Sequence, residues 1–349
     1  MQPLMISAIS LAILGIPAHQ VFSCSDVALP PTPSGTILSA RSLEFCQSLK
    51  DTLVYIPRGS SWAVLDSPYA AGWEWTGRYA FAGVNVFGLD VYSDGLNEKG
   101  LSCAALWFLS AEYPVPEPGV RALPVSMTCA YILSQFSTVQ EALDGVKDLC
   151  IWGDPLPQIR SSLPLHFALH DAEGNSAVIE FLHGQVVLLS NPGGVTTNDP
   201  SLEWHLTHEA VAGTHWEQRD GEPLYAGQRV HGSGLIGLPG DPTPSSRFLR
   251  LSQMRKNISF LPTLEQQLAQ TWGIIRAMGV PKGWTAETQT QWLCVRDHTH
   301  RTFYIEDAQD LVLWKISLDE AQLLQETRSA MPLRQGLPSG AVPAQLSPR

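Results

Sequence analysis

Charge is scarce in this sequence. Lys, Arg, Asp and Glu make up 16% of its 349 residues, against about 25% in ordinary globular chains. None of them occurs before Asp26. Positive charge is the scarcer sign, with 22 Lys and Arg against 33 Asp and Glu and a formal charge of −11. That balance excludes a broad nucleic-acid or anionic-membrane surface, because both need a basic patch. Long apolar runs are missing too. Ile6–Pro17 is almost wholly apolar, yet falls short of the roughly 20 residues a spanning helix needs, so no membrane span is expected. The ten His are scattered, with no His-Glu-x-x-His or Cys-x-x-Cys spacing, which argues against a metal centre. His298 and His300 flank Thr299 inside an expected hairpin, which reads as a solvated turn. There is neither a Gly-x-Ser-x-Gly elbow nor a phosphate-binding glycine loop; Gly232-Ser233-Gly234 reads as a flexible turn. No cofactor is expected.

What the chain does have is apolar bulk: 44% hydrophobic residues and 11 Trp. That supports a large core and excludes disordered and fibrous classes. Gly and Pro number 28 and 26, consistent with many turns. Six cysteines fit disulfides and buried thiols equally.

The uncharged residues 1–23 have the length and apolarity of a secretory signal, although no basic residue precedes the apolar run. Val21 and Ser23 stand at −3 and −1 of a cut before Cys24; a cut after Ala18 would leave a remnant, 19–23. A signal of this kind implies a periplasmic or secreted protein. Val-Phe-Ser-Cys also resembles a lipoprotein attachment box loosely. Cys24 therefore has three readings: lipid anchor, structural thiol, or nucleophile freed by processing.

Strands are expected at Thr36–Glu44, Asp51–Ile56, Tyr79–Val86 and Leu101–Leu109. Helical spacing follows at Ser126–Phe136 and Thr138–Leu149, where Thr138 and Glu141 form a capping-box pattern. Strands return at Leu165–His170, Ala177–Leu182 and Gln185–Leu189, with turns at Gly174-Asn175 and His183-Gly184. Residues 206–245 read as loop, Ser246–Lys256 and Leu264–Met278 as helices, and Thr290–Arg296, Arg301–Glu306 and Leu311–Ile316 as a meander. Runs of strands with paired helices make an α+β fold. One domain is expected over 24–330, followed by a disordered tail, 331–349, rich in Pro, Gly, Ser and Gln.

Several polar residues stand where strands end: Asn97, Asn198 in Val195-Thr-Thr-Asn-Asp-Pro200, and Arg247 in Ser246-Arg-Phe248. Asn and Asp beside Pro or Gly are ordinary turn formers, so alone these residues say little. Their context says more. Cys24-Ser-Asp, Ala40-Arg-Ser-Leu-Glu-Phe45, Asp94-Gly-Leu-Asn-Glu-Lys-Gly-Leu101, Thr197-Asn-Asp-Pro-Ser-Leu-Glu-Trp-His205, Gly237-Leu-Pro-Gly-Asp…Ser246-Arg-Phe248 and Thr290-Gln-Trp-Leu-Cys-Val-Arg-Asp297 occur in that order. Together they resemble the choloylglycine hydrolase and penicillin V acylase family over about 24–318. The leading segment and Thr243-Pro244 are similar to its Gram-negative branch.

The resemblance implies an N-terminal nucleophile hydrolase, a four-layer αββα sandwich that hydrolyses a linear non-peptide amide. Carried over by motif, Cys24 is the nucleophile, Arg41 lies beside it, Asn198 donates to the oxyanion and Arg247 completes the polar cluster. Glu44 stands where many members have Asp, to hold the α-amine. Trp107 stands where bile salt hydrolases tend to have Asn and penicillin acylases Tyr, a substrate-binding or oxyanion position that its backbone amide would also serve. The family implies a homotetramer. Penicillin V and N-acyl-homoserine lactones rank first as substrates and conjugated bile salts second. Trp62, Trp73, Trp75 and Trp107 are candidates to line an acyl pocket, against the simpler expectation that each Trp is core. A lipoprotein or binding protein that kept the fold without the chemistry is the contrasting class.

Overall fold

The computed structural model describes residues 23–65, 71–117, 120–156, 161–212, 224–225, 228–229, 237–285, 288–310, 312–319 and 327–333. Residues 1–22 of the expected export signal, Gly232-Ser233-Gly234 and the tail beyond Leu333 lie outside them.

Residues Gln289–Asp297 show how sequence becomes layers. Alternate side chains of a strand point to opposite faces. Here Trp292 and Cys294 enter one core while Leu293 and Val295 enter another. A strand apolar on both faces must lie inside a sheet covered on both sides, and this one does. Numbering the strands of the two large sheets together along the chain, the first sheet has six: β1 (Ser25–Ala28), β2 (Leu38–Phe45), β10 (Val195–Thr196), β11 (Gln289–Asp297), β12 (Thr302–Asp307) and β13 (Leu313–Ser317). Their spatial order is β10-β1-β2-β11-β12-β13, antiparallel throughout.

The second sheet has eight strands: β3 (Thr52–Ile56), β4 (Phe81–Asn85), β5 (Tyr92–Asn97), β6 (Ser102–Trp107), β7 (Leu165–His170), β8 (Ser176–Leu182), β9 (Gln185–Ser190) and β14 (Ser329–Pro332). It runs β9-β8-β7-β6-β5-β4-β3-β14. The sheets face each other across a core that joins Leu43, Phe45, Trp292 and Phe303 of the first to Ala82, Leu96, Ala104 and Ala168 of the second. Helices α1 (Thr128–Gln135) and α2 (Val139–Val146) cover the outer face of the eight-stranded sheet. Helices α4 (Pro244–Asn257) and α5 (Leu264–Arg276) cover the six-stranded one, with Phe248, Leu251, Trp272 and Ile275 against Val27, Ala40, Leu293 and Val295. The result is the αββα sandwich.

Three expectations are corrected. A helix, α3 (Leu202–Ala212), occupies the start of the stretch read as loop. Its Trp204, Leu206 and Val211 are exposed while His205 is buried, so no apolar stripe announces it. Thr138 does cap α2, accepting from Glu141 N at 3.2 Å, but Glu141 reaches back to Ser137 and the box is not reciprocal. The reciprocal box is at Thr263 and Gln266, ahead of α5. Finally, the ordered chain extends past 330, because Ser329–Pro332 pair with Thr52–Tyr55 as an edge strand.

Candidate active site

The head of β1 is a natural meeting point. Strand β1 lies between β10 and β2, pairing Asp26 with both Thr196 and Arg41. The residue before β1 therefore faces the chain leaving β10, and that chain carries Asn198. Helix α4 covers the same end and carries Arg247. Cys24, Arg41, Glu44, Asn198 and Arg247 are all buried.

Cys24 N donates to Asn198 Oδ1 at 2.7 Å. Arg247 binds both partners: Nη1 donates to Cys24 O and, at 2.6 Å, to Ser25 Oγ, while Nη2 donates to Asn198 Oδ1 at 2.8 Å. Arg41 Nη2 stands 3.8 Å from the Cys24 sulfur. The sequence-expected cluster of Cys24, Arg41, Asn198 and Arg247 is thus one hydrogen-bonded unit. Glu44 is set apart: its carboxylate accepts from Ser42 Oγ at 3.1 Å and Thr290 Oγ1 at 3.0 Å, and it is Asn198 that takes the Cys24 nitrogen. Trp107 contributes its carbonyl, which accepts from Asn198 Nδ2 at 2.8 Å. An amide nitrogen has two protons, so the second remains for a ligand.

The electrostatics follow from burial. It pushes Glu44 up to about 7, against the opposing pull of Arg247, Ser42 and Thr290. Burial depresses Arg247 to about 10, although Glu44 and Cys24 raise it, and it stays cationic at neutral pH. Burial disfavours the Arg41 cation as well, but Cys24 and Asp94 outweigh it and hold the group above its ordinary value.

The residues that hold this unit were not legible beforehand. Arg41 donates to the carbonyls of Ser93 and Ala105 and to Asp94 Oδ2 at 3.1 Å. Asp94 also binds Arg296, which reaches Asp26 Oδ2 at 2.9 Å, and Asp26 binds His170. This buried ionic chain runs from one sheet to the other beneath the thiol. The loop bearing Asn198 is clamped as well. His166 Nε2 lies 2.8 Å from Thr197 O, His205 Nε2 lies 2.9 Å from Asn198 O, and Asp199 accepts the amides of Leu109 and Ser110 at 2.8 Å. Burial lowers His205 to about 4, so its neutral ring donates to that carbonyl. The signal was position: His205 closes the motif that contains Asn198, and Asp26, Asp94 and Arg296 stand in the other motifs.

Two other sequence-selected residues are structural. Asn97 ties its turn to the end of α1, donating to Leu133 O at 2.9 Å and Phe136 O at 2.8 Å. His298, expected in a solvated turn, is fully buried between Gly100 O and Ser39 Oγ. His300 half-emerges on Asp297.

A pocket of about 510 Å³, including its mouth, opens over the sulfur. Its wall is nearly all apolar: Leu43, Phe45, Phe87, Tyr92, Trp107 and Leu165 are among the lining residues, together with Cys24 and Arg41. Of the four Trp considered as liners, Trp107 belongs to it. Trp62 and Trp75 stack on each other at 5.7 Å behind Tyr92, and Trp73 donates to Ala122 O at 2.7 Å. Among the described residues, no three His, Cys, Asp or Glu side chains converge as a metal site needs.

The site thus brings together a thiol beside a guanidinium, a side-chain amide donor and an apolar pocket. They stand at the head of a strand in an αββα sandwich, the fold of the N-terminal nucleophile hydrolases. This chain belongs to the choloylglycine hydrolase family of linear amide C–N hydrolases, whose family model matches residues 24–331. It is 31% identical to a bile salt hydrolase/transferase of Clostridium perfringens over 66% of this chain and 71% of that protein. It is 27% identical to a penicillin V acylase of Pectobacterium atrosepticum over 95% of this chain and 90% of that one. Among solved structures, a variant of the conjugated bile acid hydrolase from Clostridium perfringens superposes with TM-score 0.77 at 25% identity, covering 90% of this chain and 98% of that one. Penicillin V acylase from Agrobacterium tumefaciens gives 0.73 at 25% identity, with 88% and 90% covered.

Proposed function

We propose that the chain is exported, cut before Cys24, and then hydrolyses the amide of an apolar acyl group through a thioester on Cys24. The observation that carries this reading is the convergence of Asn198, Arg247 and Arg41 on Cys24, which lines an apolar pocket. A free Cys thiol, with a pKa of about 8.5, is mostly protonated at neutral pH. Once residues 1–23 are removed, the α-amine of Cys24, pKa about 7.7–8.0, becomes the base that takes its proton. Arg41 favours the resulting thiolate. The thiolate attacks the amide carbonyl; the second Nδ2 proton of Asn198 and a backbone N–H stabilise the oxyanion. The amine leaves with the proton, and water releases the acid by the same steps in reverse. While the nitrogen of Cys24 remains in a peptide bond it cannot act as base, so cleavage is activation.

The largely apolar wall beside Trp107 favours penicillin V or an N-acyl-homoserine lactone as substrate, in line with the relative that spans nearly the whole chain. Conjugated bile salts are the second reading, favoured by the 31% identical relative. Initial rates with penicillin V, glycocholate and a long-chain acyl-homoserine lactone, measured side by side, decide between them. Cys24→Ser should lose nearly all turnover on the preferred one, and near-normal activity would place the nucleophile elsewhere. The mature N-terminus provides the parallel check: a free Cys24 supports the mechanism, whereas a diacylglycerol adduct would establish the non-catalytic lipoprotein.

A further inference from the structure

We infer that Cys103 and Cys129 are a disulfide-forming pair, a modification site that staples helix α1 to strand β6. Their sulfurs are 3.1 Å apart. Even carbon atoms in non-bonded contact prefer about 3.5–4.0 Å, and sulfur is the larger atom. A disulfide needs about 2.05 Å, so small rotations of the two side chains close the gap. Cys103 is the second residue of β6 and Cys129 the second of α1; the pair thus joins the outer helix layer to the sheet it covers. Strand β6 also supplies the carbonyls of Ala105 and Trp107 that bind Arg41 and Asn198, so the staple would secure the strand that frames the active site. The inference does not depend on Cys24 being a nucleophile.

Burial decides when the bond forms. Both residues are almost wholly inaccessible, at 0% and 1% exposure, and burial together with the neighbouring Cys129 keeps the Cys103 thiol protonated. The folded, reduced protein is therefore a poor substrate for oxidation, and closure belongs to the stage when α1 docks on β6. The oxidant is a low-molecular-weight disulfide such as oxidised glutathione. One cysteine thiolate attacks it, forming a mixed disulfide and releasing one thiol. The second cysteine then attacks the protein sulfur of that mixed disulfide and releases the other thiol. Two protein thiols thereby lose two electrons and two protons, and the glutathione disulfide gains them as two thiols.

The sequence makes the test unambiguous, because trypsin places each of the six cysteines on a separate peptide. Cys103 falls on Gly100–Arg121 and Cys129 on Ala122–Lys147. The full chain, reduced in guanidinium and refolded in a glutathione redox buffer, should show four free thiols on unfolding and a linked pair of these two peptides. In the same chain folded under reductant and then exposed to oxidised glutathione, Cys103 and Cys129 should both stay thiols, with no link between their peptides. In the first sample, reductant added with denaturant should lower the melting temperature on rescanning by about 3–6 °C; a Cys103→Ala/Cys129→Ala variant should show no such response. Six thiols after oxidative refolding, or a dominant link to any other cysteine peptide, would overturn the inference. If refolding fails, the same peptide map on protein secreted to a bacterial periplasm decides it by the same two outcomes.

Discussion

Asn198 shows how much one side chain is asked to do. Its Oδ1 accepts from both Cys24 N and Arg247, and its Nδ2 donates to Trp107 O. Asn198→Ala removes the proposed oxyanion donor and leaves Arg247 short of a partner. Turnover should fall about 10²–10³-fold, read as kcat with the substrate that the rate comparison selects. Glu44 gives a prediction in pH. Its buried carboxyl is raised from 4.5 to about 7, so the folded state binds a proton that the unfolded state has already lost. Stability from this group is therefore present below about 4.5 and lost as pH rises toward 7. Glu44→Gln should flatten that slope and raise the melting temperature of the uncut chain above pH 7 relative to wild type. An unchanged slope across pH 4–8 would show that another group titrates there.

At the scale of elements, the turn from β10 into α3 carries the argument. Its carbonyls are held at Thr197 by His166 and at Asn198 by His205, and the His205 ring stacks on Phe248 of α4 at 4.8 Å. Position, not proton transfer, is its contribution. His205→Leu keeps the packing volume but deletes the donor, and should lower kcat about tenfold while KM stays near wild type, since a mispositioned oxyanion donor is felt in the transition state. His205→Gln, which retains an N–H, should recover most of the loss. Alkylation of Cys24 by iodoacetamide forms no oxyanion, so its rate should be the same in both variants; a parallel fall would mean that the clamp shapes the whole site. That α3 begins here was not legible, because a helix that exposes Trp204 and Leu206 lacks the periodic stripe that marks one. Strand β7, by contrast, occupies Leu165–His170 as expected, where a buried apolar run ends before the Gly174-Asn175 turn.

For the molecule as a whole, the decisive feature is the ionic chain between the sheets. Arg296 neutralises both Asp26 and Asp94, all at 0% exposure. Removing one partner strands the others without water, at a cost of about 3–5 kcal/mol. Arg296→Met should therefore lower the melting temperature sharply and loosen Arg41 through Asp94, while replacing an exposed pair such as Lys147–Asp144 should leave it nearly unchanged. Thermal denaturation of the two variants makes the comparison. The motifs contain Asp26, Asp94 and Arg296, but nothing local shows that they pair: Arg296 and Asp297 read like any strand end meeting a turn, and His298 beside them read as solvated.

By itself, the sequence determined the class of fold, the alternation that places Trp292 and Leu293 on opposite faces, and the motifs that mark Cys24, Arg41, Asn198 and Arg247. These are local properties, written in residue type and spacing. Only the tertiary structure decided that β11 lies between β2 and β12, that Glu44 is held by Thr290 while Asn198 takes the Cys24 nitrogen, and that Asp94 reaches across to Arg41. Those contacts join residues 53 to 246 positions apart. Their strength comes from the exclusion of water, which a chain acquires only when its layers close.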